Sequence, residues 1–104
     1  MEKKYVYLII AEEFGYYKIG ISKHPQKRVC QLNTGNSSKL KLINSYKTEF
    51  ASKIESALHM KYSYLNKEGE WFELSLKEEV SFIEDCKKIE YNIKFLKDNN
   101  NYFI

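Results

Sequence analysis

The sequence predicts an α+β domain in which helices pack around a small antiparallel sheet of three strands, with a further helix at the C-terminal end. Three observations carry this reading. Two short aromatic and aliphatic runs, YVYLII (5–10) and YYKIGIS (16–22), are separated only by AEEFG, a spacing that suits an antiparallel hairpin. KLKLINSYKT (39–48) sets Leu40 and Leu42 against a polar face, as a half-buried strand does. Residues 50–65 and 76–96 instead repeat their apolar side chains at helical spacing.

The elements follow in order. After the hairpin, Pro25 suits a first helical position, because its missing N–H has no intrahelical partner there, and PQKRVCQL reads as a short helix. NTGNSS (33–38) is a turn-rich polar loop. Beyond the third strand, Phe50, Ile54, Ala57, Leu58, the Lys61 stem and Leu65 form one stripe of a second helix. In NKEGEWFEL, Gly69 marks a stop or turn and WFEL a short extended piece. Ser75 and Glu78 have the spacing of a capping box, and the last helix then carries Leu76, Val80, Ile83, Ile89, Ile93 and Leu96. Residues 1–75 thus hold the sheet and its helices, and residues 76–104 add a helix packed on the same domain, ending in an Asn-rich tail expected to fray.

Composition narrows the function. With 104 residues, 43% hydrophobic and 30% charged, the chain suits one globular domain. Residues 1–50 carry nine Lys/Arg against four Glu, a net +5, while residues 51–104 carry eight Lys against ten acids, a net −2. The first half can therefore face a polyanion such as DNA. Cys30 and Cys86 show no zinc spacing and are expected to be buried free thiols. No leader and no membrane-spanning run is expected, which points to a cytoplasmic protein. Nine Tyr are read mainly as amphipathic residues at the edge of the core.

Candidate site residues cluster in two places. Lys18, Lys23, His24, Lys27 and Arg28 surround the end of the hairpin, and Arg28 can share a surface with Tyr7 and Lys18 if the first helix packs on the sheet. A lone Arg on a short helix reads first as a solvated surface charge. Glu55 and His59 stand at i and i+4 on one helix face, a carboxylate and an imidazole suited to a divalent metal, although that spacing alone reads first as an exposed polar pair. Glu70 reads as a surface carboxylate or a supporting partner, beside the core aromatics Trp71 and Phe72.

Five segments in this order, VYLI (6–9), YKIG (17–20), KRVCQLNTGNS (27–37), IESALH (54–59) and GEWFEL (69–74), resemble the GIY-YIG nuclease superfamily. Within it they resemble the branch typified by a meiotically up-regulated gene product and a phage T5 open reading frame. The resemblance covers about residues 5–75. It implies hydrolysis of DNA phosphodiesters with one divalent ion, Mg²⁺ or Mn²⁺. Tyr7 would position or deprotonate the attacking water, Arg28 would bind the scissile phosphate, and Glu55 would hold the metal. Gly20 would allow a close backbone approach.

The chain also departs from the pattern. Lys18 replaces the usual Tyr of the second motif, as in the closer branch, and could contact a phosphate or act as a base. Leu32 stands where a His or Tyr is common in the family, a role His59 would partly fill unless it simply marks the branch, and the late Asn has no counterpart. Lys23, Lys27 and Arg28 form the expected nucleic-acid contact. The competing readings are a catalytically weak or inactive nucleic-acid-binding module, and a small inhibitor or interaction protein of the kind a phage or mobile element carries, with the acidic C-terminal helix as its partner surface.

Overall fold

A computed structural model describes residues 2–35 and 39–99, so part of the 33–38 loop and most of the Asn-rich tail lie outside the described residues. Strands β1 (Lys4–Ala11) and β2 (Tyr16–Ser22) form the expected hairpin, pairing Tyr7 with Gly20 and Ile9 with Lys18. Helix α1 (Pro25–Thr34) begins on its proline, and β3 (Leu40–Thr48) pairs with the far side of β1. Helix α2 (Ala51–Lys61) and a single 3-10 turn follow.

The sheet has five strands, not three. A hairpin of β4 (Asn66–Glu68) and β5 (Trp71–Phe72) extends it to the antiparallel order β3-β1-β2-β5-β4. Gly69, at φ 55°, makes the turn between them in a conformation other residues rarely adopt. Strands of three and two residues are too short for a period of two to show in sequence.

Helices cover both faces of the sheet. Val6, Leu8, Tyr17 and Ile19 point to the layer of α2 and of α3 (Leu76–Asp98), meeting Ile54, Leu58, Phe82, Cys86 and Ile93. Tyr7, Ile9 and Ala11 point to the opposite layer, against Val29 of α1 and Leu40 of β3. Coverage on both sides explains why β1 reads as an unbroken apolar run rather than an alternating one. Ile54 and Leu58 are fully buried, each a gain of about 1.5–3 kcal/mol relative to exposure.

Helix α3 begins on the expected capping box, with Glu78 accepting from the Ser75 N–H at 2.7 Å and the Ser75 hydroxyl at 2.8 Å. Its buried face differs from the expected stripe. Ile93 is buried and Ile83 and Ile89 are partly buried as expected, but Phe82 and Cys86 also turn inward, whereas Leu76 and Val80 are 68% and 75% exposed. Residues two apart on a helix lie about 200° apart, so burying Phe82 turns Val80 to solvent.

Three phenols fasten this inner face. Tyr17 donates to Glu79 at 2.6 Å, Tyr62 donates to Asp85, and Tyr46 donates to Glu90, which also accepts from Thr48. Burial and the Glu79 carboxylate push the Tyr17 phenol up to about 12. Cys86 is buried as expected, but Cys30 is exposed, because α1 turns it away from the sheet.

Candidate active site

The site forms where β2 passes beneath α2, and glycine makes it possible. Tyr7 and Gly20 are direct partners, and the Tyr7 ring lies across Gly20. A Cβ at Gly20 would stand 2.6 Å from Cζ of Tyr7, well inside van der Waals contact. Without it, the phenol of a 2%-exposed residue crosses β2, and its hydroxyl feels three charged side chains. Burial pushes the phenol above its ordinary value, the neighbouring Arg28 guanidinium pulls it down, and the Glu70 and Glu55 carboxylates add to the rise.

Each partner comes from a different element. Arg28 projects from the first turns of α1, where Val29 anchors the helix to the Tyr7 face of the sheet. Lys18, two residues before Gly20, shares that face, and its partly buried ammonium lies 3.1 Å from Glu70 and 5.6 Å from the centre of the Trp71 ring. The register pairs Lys18 with Trp71 and Tyr17 with Phe72, so Trp71 stays beside the site while Phe72 enters the core behind it. Glu55 lies half-buried at the margin of the buried stripe of α2. Burial and the charge of Glu70 push its carboxyl up, and His59 and Lys18 oppose the rise.

His59 holds the main chain in place. Its Nε2 is 2.9 Å from the Ile19 carbonyl, and because a carbonyl can only accept, Nε2 carries the proton. The ring also meets Phe72 edge-on, with centroids 5.0 Å apart. The Ile19 N–H in turn donates to the Glu70 carbonyl at 3.2 Å. One residue of β2 is therefore tied both to the strand bearing Trp71 and to the helix bearing Glu55.

Tyr7, Lys18, Arg28 and Glu55 are thus brought together, with His59 one helical turn from Glu55. Lys23 and Lys27 lie elsewhere on the same face, in a groove of about 590 Å³ beside the start of α1, lined also by Tyr5, His24 and Leu42. Lys23 is ion-paired with Glu2 at 2.5 Å. Glu70 is the site carboxylate that sequence reasoning left between a surface and a supporting role. Only the pairing of β5 with β2 reveals its place, and no local pattern encodes that pairing.

Among the described residues, no three His, Cys, Asp or Glu side chains gather as a metal-binding group. Glu55 and Glu70 are near enough for the charge of Glu70 to disfavour ionisation of Glu55.

The T5orf172 domain matches residues 4–88, which spans every strand, α1, α2 and the first half of α3. The chain belongs to the T5orf172 domain family. This family is related to the GIY-YIG nucleases. No curated protein and no solved structure matches the chain significantly. Within this T5orf172 domain, Leu32 is a partly buried residue packed against the Tyr7 layer, so its place after Arg28 serves the core. Among the described residues, no helix is long and apolar enough to cross a membrane.

Proposed function

We propose that the chain is a divalent-metal-dependent endonuclease that hydrolyses DNA phosphodiester bonds in the cytoplasm. One observation carries the reading: the Arg28 guanidinium and the carboxylates Glu70 and Glu55, the latter half-buried, all lie close enough to the Tyr7 hydroxyl to bear on its charge. A binding surface for a polyanion has use for Arg28 but none for carboxylates beside it. A phosphoryl-transfer site needs both.

The residues fit a divalent ion. Glu55 is held above its ordinary value by burial and by the charge of Glu70, a cost that a bound cation would offset. Mg²⁺ is commonly held by one or two carboxylates and several waters, which such a pair can satisfy. When bound, the ion supplies Lewis-acid stabilisation of charge on the phosphate and the leaving group.

The chain's own residues do the rest. Arg28 binds the scissile phosphate through its planar fork of donors and stabilises charge developing there. Lys18, held as one arm of an ion pair with Glu70, adds a second cation for the phosphate. Tyr7 is a neutral phenol at neutral pH, since burial raises it, and so orients the attacking water by hydrogen bonding. His59 positions the Glu55 helix against β2 through the Ile19 carbonyl.

A second reading, a nucleic-acid-binding or inhibitory module without cleavage, draws on one observation. The two alternative proton acceptors, Lys18 and His59, are committed to Glu70 and to the Ile19 carbonyl. The two readings separate in cleavage of a supercoiled plasmid with Mg²⁺ by wild type and Arg28→Ala. The nuclease reading expects a rate loss of about a hundredfold or more, the scale for removing one transition-state donor. Equal rates would refute the role given to Arg28, and no cleavage by wild type would select the second reading.

A further inference from the structure

Beside the candidate site, on the same face of the sheet, the turn of the first hairpin and the β4–β5 hairpin enclose a cleft of about 360 Å³. Ala11 and Leu40 line it as apolar residues, with Phe14 and Tyr16 from the β1–β2 hairpin and Trp71 from β5. Phe14 and Tyr16 lie with their planes 22° apart, and Phe14, 59% exposed, presents its ring at the mouth of the cleft rather than to the core. Lys67 lies over the Tyr16 ring at 5.2 Å. Lys67 and Glu68 offset each other at the rim, so the cleft has little pull of its own on phosphate. It offers aromatic faces instead.

Trp71 belongs to both places: it lines the cleft and lies under the Lys18 ammonium of the site. A ligand spanning the two would present a flat apolar group to the cleft and an anion to Lys18 and Arg28. A nucleotide has that construction, and every base has a face that stacks on aromatic side chains whatever its sequence. A base inside a duplex is already stacked on its neighbours and cannot enter.

We propose that this cleft is a base-binding subsite that takes one unstacked base next to the phosphate at Arg28 and Lys18, so that the preferred substrate carries unpaired nucleotides at the point of cleavage. The proposal rests on the DNA reading above for the identity of its ligand. It adds the structure of the substrate.

The chain's single Trp, Trp71, reports on the cleft directly. Wild-type protein in EDTA, where nothing is cleaved, is titrated with a single-stranded oligothymidylate and with a blunt duplex, following tryptophan emission. The single strand is expected to quench Trp71 saturably and the duplex to quench it weakly. Phe14→Ala should lower the ratio of single-stranded to duplex affinity by about 5- to 150-fold, the range that loss of one base–aromatic stack supplies. Phe14→Tyr, which keeps a ring face, should restore the ratio.

An unchanged ratio in Phe14→Ala, equal quenching by both ligands, or no binding of the single strand would overturn the subsite. Cleavage, with Mg²⁺, of a duplex that carries an unpaired stretch distinguishes this from failure of the nuclease reading. Cleavage with an unchanged Phe14→Ala ratio removes the subsite alone, whereas Phe14-dependent binding without cleavage keeps the subsite and removes the catalysis.

Discussion

Replacing Gly20 by Ala tests how the site is assembled. The new Cβ would stand 2.6 Å from Cζ and 3.1 Å from Cε1 of Tyr7, where carbon atoms rest at about 3.5–4.0 Å. The ring must therefore withdraw by about 1 Å. It cannot do so freely, because Tyr7 is 2% exposed and β1 is paired with β2 on one side and β3 on the other. Inserting a methyl into such packing costs about 1–3 kcal/mol. Alanine recovers about 0.5–1 kcal/mol of that, because glycine is the poorer strand residue.

The net loss expected for Gly20→Ala is about 0–2.5 kcal/mol by urea denaturation, roughly 4–8 °C in Tm per kcal/mol for a domain of this size. The decisive comparison is a double-mutant cycle. In a Tyr7→Ala background the clash is gone, so Gly20→Ala should become neutral or stabilising. A Gly20→Ala penalty of the same size in both backgrounds would refute the claim that the glycine exists to admit the Tyr7 ring.

Three further outcomes follow from the clamps that hold α3 and from the cysteines. Tyr62→Phe should lower stability by about 0.5–1.5 kcal/mol, since the 6%-exposed Asp85 carboxylate loses its phenol donor but keeps Lys61 at 3.1 Å; urea unfolding measures it, and an unchanged midpoint would contradict the clamp. Burial raises the Glu90 carboxyl, but donors from Thr48 and Tyr46, helped by Lys94 and Lys3, outweigh it and leave Glu90 below the ordinary value. Its contribution to stability is therefore present above the unfolded-state value of about 4.3 and is lost as pH falls through the lower folded-state value, so Glu90→Gln should flatten that part of an acid-unfolding profile. Burial pushes the Cys86 thiol up to about 12 while Cys30 is exposed, so a thiol reagent should titrate one cysteine in the native protein and both in denaturant.

The parts of the fold that sequence revealed are those whose signal is local. The β1–β2 hairpin, the proline start of α1 and the Ser75–Glu78 box each follow from neighbouring residues, and the structure contains all three. Of the β4–β5 hairpin, the Gly69 turn and the extended WFEL were legible, but its place in the sheet was not, because Trp71 and Phe72 pair with Lys18 and Tyr17, more than fifty residues earlier. The inner face of α3 was obscured by chemistry. Glu79, Asp85 and Glu90 look like a solvent face until the phenols of Tyr17, Tyr62 and Tyr46 reach them. Those phenols also account for three of the chain's nine Tyr, as residues with apolar bodies and polar tips at the core edge.

The site divides in the same way. Tyr7, Arg28 and Glu55 were singled out from motif order, and the charges of Arg28 and Glu55 both bear on the Tyr7 hydroxyl. The place of Glu70 depends on strand register, and the bond from His59 to the Ile19 carbonyl depends on how α2 crosses the edge of β2. Neither leaves a trace in the residue order.

The most direct test of the central claim is a four-way comparison on supercoiled plasmid: wild type and Glu55→Gln, each with Mn²⁺ and each with EDTA. Glu55→Gln keeps the side chain's shape and removes its charge. Nicking in the wild-type reaction with Mn²⁺ and in no other is the predicted result, because Glu55 would be the carboxylate that holds the ion. Equal nicking by Glu55→Gln, or nicking that persists in EDTA, would contradict a Glu55-bound metal as the centre of this site.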